Sequence, residues 1–469
     1  MNSTKNTFLG LLIVFFCSNF CFAKIWTPRI ISDNMVLQQQ STVTIWGWTT
    51  EAAETITVKG SWNDNEVTTR AYQGSWSVKL STPSAGGPFT LTISGHETIN
   101  FDNIMIGEVW IASGQSNMEW TPNMGLDNAD EEIQNADYPN IRFFTVPKFV
   151  SDVPVEDTYG EWVSSSPKTM QNFSSVGYFF GRKLHKDLSI PIGIISSNWG
   201  GTPIEVWMAR NLIENDKELN DAKVYLEGSA GAPKTLGTLY NGMIYPLAKF
   251  KIAGVIWYQG ESNRVNAKSY YKSFPMLIRS WRALWEEDFP FLYAQIAPYT
   301  YVRDTQDLKA ALIRDAQLTT LKSVENTGMA VTNDIGNLDD IHPRNKQEVG
   351  HRLALWALAK TYGIKGIPFS GPVYKSMEIN KNKIVVHFEY AEHGLRKKGK
   401  ELNEFYIAGV DEKFYPAKAK IDGNTVIVSS SKVKNPIAVR FAFYDKALPN
   451  LYNSHDLPAS AFRTDNFDD

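Results

Sequence analysis

The strongest constraint on the fold is the alternation of apolar runs and helical patterns in the middle of the chain, from about residue 103 to residue 363. Four apolar runs have the length of buried strands: 109–112, 191–195, 252–258 and 291–295. Four stretches with helical periodicity accompany them: 176–186, 270–285, 308–324 and 346–362. This alternation predicts an α/β domain, a parallel sheet with helices on both faces.

Both flanks of this zone carry short alternating runs that are typical of β domains. Between residues 24 and 104, strand-like runs are separated by clusters of Gly, Asn, Asp and Pro. The pattern returns after about Ile364, with the clearest runs at 384–388 and 439–443. We therefore predict an N-terminal β-sandwich-type domain (24–104), the α/β domain (105–363) and a C-terminal β-sandwich-type domain (364–469).

The first 23 residues have the pattern of a secretory signal peptide. Lys5 is the one charged residue there, an apolar run follows at 8–16, and Ala23 offers a small residue at the cleavage point. No later stretch is apolar over the roughly 18 residues that a membrane span needs. Both cysteines, Cys17 and Cys21, lie in this segment. The sequence predicts a periplasmic or secreted chain with neither a membrane span nor a disulfide after cleavage.

Composition excludes several function classes. The 469 residues carry 47 basic and 50 acidic side chains, and this balance argues against a nucleic-acid binder, which needs a basic face. A hydrophobic fraction of 43% excludes a disordered chain. No cysteine remains after cleavage for a thiolate nucleophile or a Cys-based zinc site. No other cluster of metal-ligand type is visible, so we expect no metal and no other cofactor.

A serine follows the first strand candidate of the α/β domain. The strand ends in the small-residue turn GQSNM at 114–118. Ligands in open α/β sheets gather beyond the carboxyl ends of the strands. Ser116 is therefore a candidate nucleophile, and its own N–H is a candidate oxyanion donor. From this motif alone, a serine that only caps a helix is the alternative interpretation.

His342 is the candidate base among seven histidines. It lies in the segment DDIHP at 339–343, where Asp339 can fold back on a turn and hold the far nitrogen of the imidazole. Asp340 is the less favoured neighbour, and its expected role is a turn cap. His351 falls on a predicted helix, for which a structural role is the simpler interpretation.

Two further motifs follow other strand candidates. Residues 196–202 (SSNWGGT) contain paired glycines whose backbone N–H groups are unobstructed by side chains. Residues 257–263 (WYQGESN) supply two side-chain amides and a carboxylate. A serine amide, a glycine amide and one side-chain amide that converge on one oxygen would form an oxyanion hole. Taken singly, each motif is equally well a turn or a helix cap.

Together these motifs, in this order, resemble those of the SGNH (GDSL-like) hydrolases, and most closely the sialate O-acetylesterase family. The resemblance covers about residues 25–365 and includes DNMVLQQ at 33–39 and RDAQ at 314–317. It implies an SGNH-like catalytic α/β domain. It also implies a serine esterase that removes O-acetyl groups from sugars through an acetyl-enzyme, with sialic acid as the substrate.

Carried over position by position, the resemblance implies that Ser116 is the nucleophile and His342 the general base. Asp339 would be the acid that orients His342. Glu261 is a rival for that role, because related carbohydrate esterases point to a glutamate from this segment.

The resemblance also implies an oxyanion hole formed by the amides of Ser116 and Gly201 and by a third donor. This chain has GESN where simpler SGNH members have Gly-x-Asn-Asp. The third donor therefore stays open between Asn263 and Gln259.

Substrate recognition rests on fewer residues. A sialic acid carries a carboxylate, for which an arginine is a suitable partner, and aromatic rings can stack on a sugar. The candidate substrate-binding residues are Gln115, Trp199, Tyr258, Arg264 and Arg344, with Arg303 as a further basic candidate. Acetylated xylan or another acetylated glycan fits the same machinery. A non-catalytic glycan-binding protein on a hydrolase scaffold is the alternative of a different class, against which the intact Ser116, Asp339 and His342 argue.

Overall fold

The computed structural model describes residues 24–226, 231–301 and 308–467. The predicted signal peptide (1–23) and Arg303 lie outside these described residues. Across the described ranges, no helix combines the length and the apolar character that a membrane crossing requires.

The N-terminal zone consists of β-strands, as the alternating pattern predicts. In chain order they are β1 (Ile25–Trp26), β2 (Val36–Gln38), β3 (Thr42–Thr49), β4 (Thr55–Gly60), β5 (Glu66–Arg70), β6 (Ser75–Ser81), β7 (Gly86–Ser94) and β8 (Thr98–Gly114). One sheet has the order β1-β3-β6, and the second connects β5, β4, β7 and β8. In β6, Trp76, Val78 and Leu80 alternate with exposed polar residues, so one face of the strand packs into the core.

Strand β8 joins the N-terminal zone to the central sheet. Its first part pairs with β7, and its second part is flanked by two strands of the central sheet. The predicted boundary between residues 104 and 105 falls inside this continuous strand. Every residue from Ile104 to Gly114 is buried, which is the pattern of a strand covered on both faces.

The central sheet is parallel, as predicted. Its further strands are β9 (Tyr138–Thr145), β10 (Trp162–Ser165), β11 (Ile192–Asn198), β12 (Gly254–Tyr258), β13 (Phe291–Ala294) and β14 (Thr327–Ala330). The order is β10-β9-β11-β8-β12-β13-β14. In this order every neighbouring pair between β9 and β14 is parallel, and β10 pairs antiparallel with β9 at the edge of the sheet.

Helices cover both faces of this sheet. They are α1 (Ser116–Glu119), α2 (Ala129–Gln134), α3 (Pro167–Met170), α4 (Ser175–Leu188), α5 (Arg210–Glu214), α6 (Lys217–Ala222), α7 (Ala267–Trp285), α8 (Lys309–Ser323) and α9 (Lys346–Trp356). Helices α4 and α9 pack together, as do α7 and α8. Along β8, Trp110 and Ala112 contribute to one core layer and Val109 and Ile111 to the other. This two-layer burial confirms the predicted fold class.

The C-terminal zone is again built from strands. They are β15 (Val373–Asn380), β16 (Lys383–Glu389), β17 (Leu395–Lys397), β18 (Phe405–Ala408), β19 (Phe414–Pro416), β20 (Lys418–Asp422), β21 (Thr425–Ser429), β22 (Ala438–Phe441), β23 (Leu451–Asn453) and β24 (Phe462–Arg463). They form sheets of order β15-β16-β21-β20, β17-β23 and β19-β18-β22-β24. The carboxylate of Asp445 accepts the N–H groups of Ala310 and Ala311 at 2.7 and 3.1 Å, so this zone caps the start of α8.

Candidate active site

Ser116 is the first residue of α1, immediately beyond the carboxyl end of β8. The turn depends on Gly114, whose φ is 136° and where a Cβ would lie 2.2 Å from the carbonyl oxygen of Tyr258. Only glycine fits this close approach. Because Ser116 is the first helical residue, its N–H has no acceptor within its own helix. The local sequence thus presents a hydroxyl at the edge of the sheet, together with an amide for which the described residues provide no acceptor.

His342 meets Ser116 although the two residues are 226 positions apart. The Nε2 of His342 lies 2.9 Å from the Oγ of Ser116. The imidazole stacks on the indole of Trp120, with ring centroids 4.3 Å apart and planes inclined by 17°. The indole is itself held by a 2.6 Å hydrogen bond from its Nε1 to the carbonyl oxygen of Gly125. This is the geometry of a nucleophile with an adjacent, oriented base.

The carboxylate beside His342 belongs to Asp340 rather than Asp339. The Oδ1 of Asp340 lies 3.7 Å from the Nδ1 of His342 and accepts the backbone N–H of His342 at 2.9 Å. Asp339 is exposed, and in the described part of the chain no hydrogen bond or ion pair connects it to His342. The expected contact of Asp339 is therefore not made, because the turn is closed by an aspartate two residues before the histidine.

The surroundings of His342 favour its neutral form. Burial is the largest influence and lowers the pKa of His342, the charge of Lys346 lowers it further, and Asp340 acts in the opposite direction. A neutral imidazole is the form that can accept a proton from a serine hydroxyl.

Glu261 lies in a buried network and not against His342. Its Oε1 accepts a 2.7 Å hydrogen bond from the Nδ2 of Asn117, whose Oδ1 accepts from the Nζ of Lys346. Burial raises the pKa of Glu261 and lowers the pKa of Lys346 to about 7. Within the described residues, Glu261 forms no hydrogen bond or ion pair with His342. No contact therefore supports Glu261 as the acid that orients His342.

The loop after β11 brings the first of its two glycines beside Ser116. A Cβ at Gly200 would lie 3.2 Å from the Cβ of Ser116, and the N–H of Gly200 donates to the Oε2 of Glu119 at 2.6 Å. Gly201 follows with a φ of 74°, and its N–H finds no acceptor inside the described ranges. Of the two glycine amides, that of Gly201 is thus the one available to a ligand.

The two candidates for a third oxyanion donor are both committed to internal partners. The Nδ2 of Asn263 lies 3.0 and 2.8 Å from the two carboxylate oxygens of Glu205. The Nε2 of Gln259 donates to the carbonyl oxygen of Thr202 at 3.2 Å and to the Oδ1 of Asn263 at 2.7 Å. The N–H of Ile204 also donates to that Oδ1, at 2.8 Å. Both side-chain amides thus donate within the protein, and the two side chains connect the segment after β12 to Thr202, Ile204 and Glu205 in the loop after β11.

Two of the candidate substrate-binding residues are structural. The buried Oε1 of Gln115 lies 3.3 Å from the backbone nitrogens of Gly260 and Ser262, so it ties the turn after β8 to the segment after β12. Tyr258 is 1% exposed, and burial raises its pKa far above the usual range. Neither side chain has a surface that a sugar could contact.

The other three candidates are more accessible. Arg344 is exposed, and Trp199 is half-buried with the Nζ of Lys148 5.5 Å from its ring centroid. The guanidinium of Arg264 stacks over the ring of Tyr301 at 3.7 Å, which indicates a packing role.

Four residues of the site do not stand out in the sequence: Asn117, Glu119, Trp120 and Lys346. Trp120 lies four positions after Ser116 and Lys346 four positions after His342, but neither pair shares a helix, because α1 ends at Glu119 and α9 begins at Lys346. Their spacing therefore gives no signal.

Known proteins resemble this chain over most of its length. A family described as "Carbohydrate esterase, sialic acid-specific acetylesterase" matches residues 106–359, a range that contains both Ser116 and His342. Sialate O-acetylesterase of Homo sapiens is 31% identical, with 92% of this chain and 91% of the human protein covered. The Rattus norvegicus protein of the same name is also 31% identical, with coverages of 92% and 93%. The crystal structure of a carbohydrate acetylesterase from Xanthomonas citri is 37% identical, with a TM-score of 0.87 over 95% of this chain and 100% of that protein.

Proposed function

This chain belongs to the family of sialic acid-specific carbohydrate acetylesterases, which are carboxylic ester hydrolases. We propose that it is an exported serine esterase that removes O-acetyl groups from sialic acids. The observation that carries the proposal is the 2.9 Å contact between the Oγ of Ser116 and the Nε2 of His342. The amides of Ser116 and Gly201, for which the described residues provide no acceptor, support the same chemistry.

In the first half of the reaction, His342 takes the proton of Ser116 while the Oγ attacks the carbonyl carbon of the acetyl group. The amides of Ser116 and Gly201 stabilise the negative charge on the carbonyl oxygen. The bond between the carbonyl carbon and the sugar oxygen then breaks. His342 returns the proton to that oxygen, so the sugar leaves as an alcohol and the acetyl group stays on Ser116.

In the second half, water replaces the sugar. His342 takes a proton from the water as its oxygen attacks the acetyl carbon, and the same two amides stabilise the second tetrahedral intermediate. The bond to Ser116 breaks, the Oγ recovers its proton from His342, and acetate is released. Asp340 stabilises the imidazolium that forms in each half-reaction, and its 3.7 Å distance to the Nδ1 of His342 supports this role over Asp339.

Sialic acid as the substrate is supported by two observations. The human and rat relatives, both named sialate O-acetylesterase, match this chain almost from end to end. Arg344 is exposed only two residues after His342, where its guanidinium could bind the carboxylate of an acidic sugar.

The test is acetate release from a panel of O-acetylated sialic acids and acetylated xylan oligomers, measured for the wild type and for Ser116→Ala. We expect the highest kcat/KM on a sialic acid and a loss of about four decades or more in the variant. Faster turnover of acetylated xylan would replace sialic acid as the substrate. A wild type as inert as Ser116→Ala on every ester, yet able to bind the glycans, would favour the glycan-binding alternative.

Export is proposed from the sequence of residues 1–23. N-terminal sequencing of the protein from a secretion-competent host should give Lys24 as the first residue. A mature protein that still begins at Met1 would contradict it.

A further inference from the structure

Asn117 is a buried side chain with polar partners from three separate segments of the chain. It is 0% exposed. Its Oδ1 accepts from the Nζ of Lys346, at the start of α9. Its Nδ2 donates to the Oε1 of Glu261 at 2.7 Å and to the carbonyl oxygen of Ile341 at 3.1 Å. Both N–H groups of this amide and its oxygen are thus hydrogen-bonded inside the protein.

These partners connect the two halves of the proposed catalytic pair. Asn117 follows Ser116 in α1, and Ile341 precedes His342 in its loop. The hydrogen bond from Asn117 to Ile341 therefore runs beside the contact between Ser116 and His342. A shift of the histidine loop relative to α1 would break it.

The charges around Asn117 permit only one orientation of its amide. The cationic Nζ of Lys346 requires the amide oxygen, and the carboxylate of Glu261 requires the amide nitrogen. A flipped amide would place donors against the ammonium and an acceptor against the carboxylate. The side chain is consequently fixed with its second N–H toward Ile341.

The environment of Lys346 makes this arrangement costly to disturb. Lys346 is 1% exposed, and its Nζ lies 5.7 Å from the ring centroids of both Trp120 and Tyr258. The charged or titratable groups that surround it are Glu261 in the segment after β12, Asp340 and His342 in the histidine loop, and Tyr258 in β12. Removing one charge of a buried pair leaves the other without compensation.

We propose that Asn117, Lys346 and Glu261 are positioning residues, which set the distance between Ser116 and His342 by clamping the carbonyl of Ile341. The proposal rests on the esterase function described above. None of the three side chains touches the reacting atoms. Their effect acts through His342, whose proton affinity the charge of Lys346 also lowers.

The first test separates clamping from general stability. In Asn117→Asp, an oxygen would face both Glu261 and the carbonyl of Ile341, so we expect kcat to fall about 30-fold or more, KM to change less than about twofold, and the melting temperature to drop. In the double variant Asn117→Asp/Glu261→Gln, the glutamine in place of Glu261 can donate to the aspartate in place of Asn117. That aspartate also pairs with Lys346. The melting temperature should recover, but kcat should stay low because no donor reaches Ile341.

A kcat that recovers together with the melting temperature in the double variant would overturn the proposal, since the network would then matter only for stability. Wild-type kcat in Asn117→Asp would overturn it as well. The esterase function itself fails if Ser116→Ala stays active or if the wild type is as inert as that variant, so the two failures are distinguishable.

The second test uses the charge of Lys346. In Lys346→Met, we expect the acid limb of kcat/KM against pH to move to higher pH by about half a unit or more, because the cation that opposes imidazolium formation is gone. Lys360→Met is the matched control, since Lys360 is exposed in the turn after α9. An acid limb that stays in place in a folded Lys346→Met protein would contradict the role of this charge.

Discussion

Two walls flank Ser116, and each is supported by a buried carboxylate in a different way. The base wall comprises α1 and the loop 340–346, with Glu261 and Lys346 as an opposite pair of charges joined through Asn117. The oxyanion wall is the loop 199–205, where Glu205 is 2% exposed. Its carboxylate accepts from the side-chain amides of Asn263 and Asn266 and from its own backbone N–H, and the described residues give it no ion pair.

The difference shows that the charges of the base wall can change the proton affinity of His342, whereas the oxyanion wall carries no titrating group that the reaction uses. A cation beside the base changes the proton affinity of the imidazole, which must gain and lose a proton in every turnover. The oxyanion wall only has to hold backbone N–H groups in fixed directions, for which a network of amides is sufficient. Variants of the base wall should therefore change the pH profile, whereas variants of the oxyanion wall should change kcat alone.

The largest expected effect is on the base itself. His342→Ala should lower kcat/KM by about three decades or more, because among the described residues His342 is the base that contacts the Oγ of Ser116. The matched control is His351→Ala in α9, which should stay within about twofold of wild type. Hydrolysis of p-nitrophenyl acetate measures both, and near-normal turnover in His342→Ala would remove the histidine from the mechanism.

The second prediction compares the two neighbouring aspartates. Asp340→Asn should lower kcat about 10- to 100-fold, because its carboxylate lies beside the Nδ1 of His342 and stabilises the imidazolium. Asp339 is exposed, so the kcat of Asp339→Asn should remain within about twofold of wild type. The opposite ranking of the two kcat values would restore Asp339 as the orienting acid.

The third prediction concerns the oxyanion wall. Asn263→Ala removes the acceptor of the Ile204 N–H and the donors to Glu205, so the glycine loop should loosen and kcat should fall about tenfold. The acid limb of the pH profile should not move. A displacement like that expected for Lys346→Met would show that the two walls are not independent.

The smallest expected effect is the position of the wild-type acid limb. A group whose pKa is lowered holds its proton less tightly. The imidazole of His342 is therefore half protonated only at a pH below about 6.5, the usual imidazole pKa. The profile of kcat/KM against pH should therefore reach half its plateau below that pH. A midpoint above about 6.5 would mean that the burial and the charge of Lys346 do not control this histidine.

The sequence predicts the fold well where the physical pattern is local. The four helices and three of the strand candidates of the middle zone lie within a few residues of α4, α7, α8, α9, β11, β12 and β13, because their apolar periodicity is strong. The fourth candidate, 109–112, covers only part of β8. The predicted boundary near residue 104 falls inside β8, which is long enough to pair with strands of both sheets. Nothing in its local pattern marks the point where its neighbours change.

For the site, motif order is enough to bring Ser116 and His342 to one edge of a sheet. The partners of those residues are harder to predict, since they depend on turn geometry and on competition for donors. Asp339 and Asp340 differ by one position, and the turn decides which carboxylate reaches the ring. Asn263 and Gln259 carry suitable amides, but Glu205, which has no motif around it, takes up the donors of Asn263.

The most direct test of the serine mechanism is a peptide map of the enzyme, quenched in acid during turnover of an acetylated substrate. An acetyl group should be found on Ser116 in the wild type and should accumulate in a variant that deacetylates slowly, such as Asp340→Asn. It should be absent from Ser116→Ala. An acetyl group on another residue, or turnover by Ser116→Ala at the wild-type rate, would contradict the central claim.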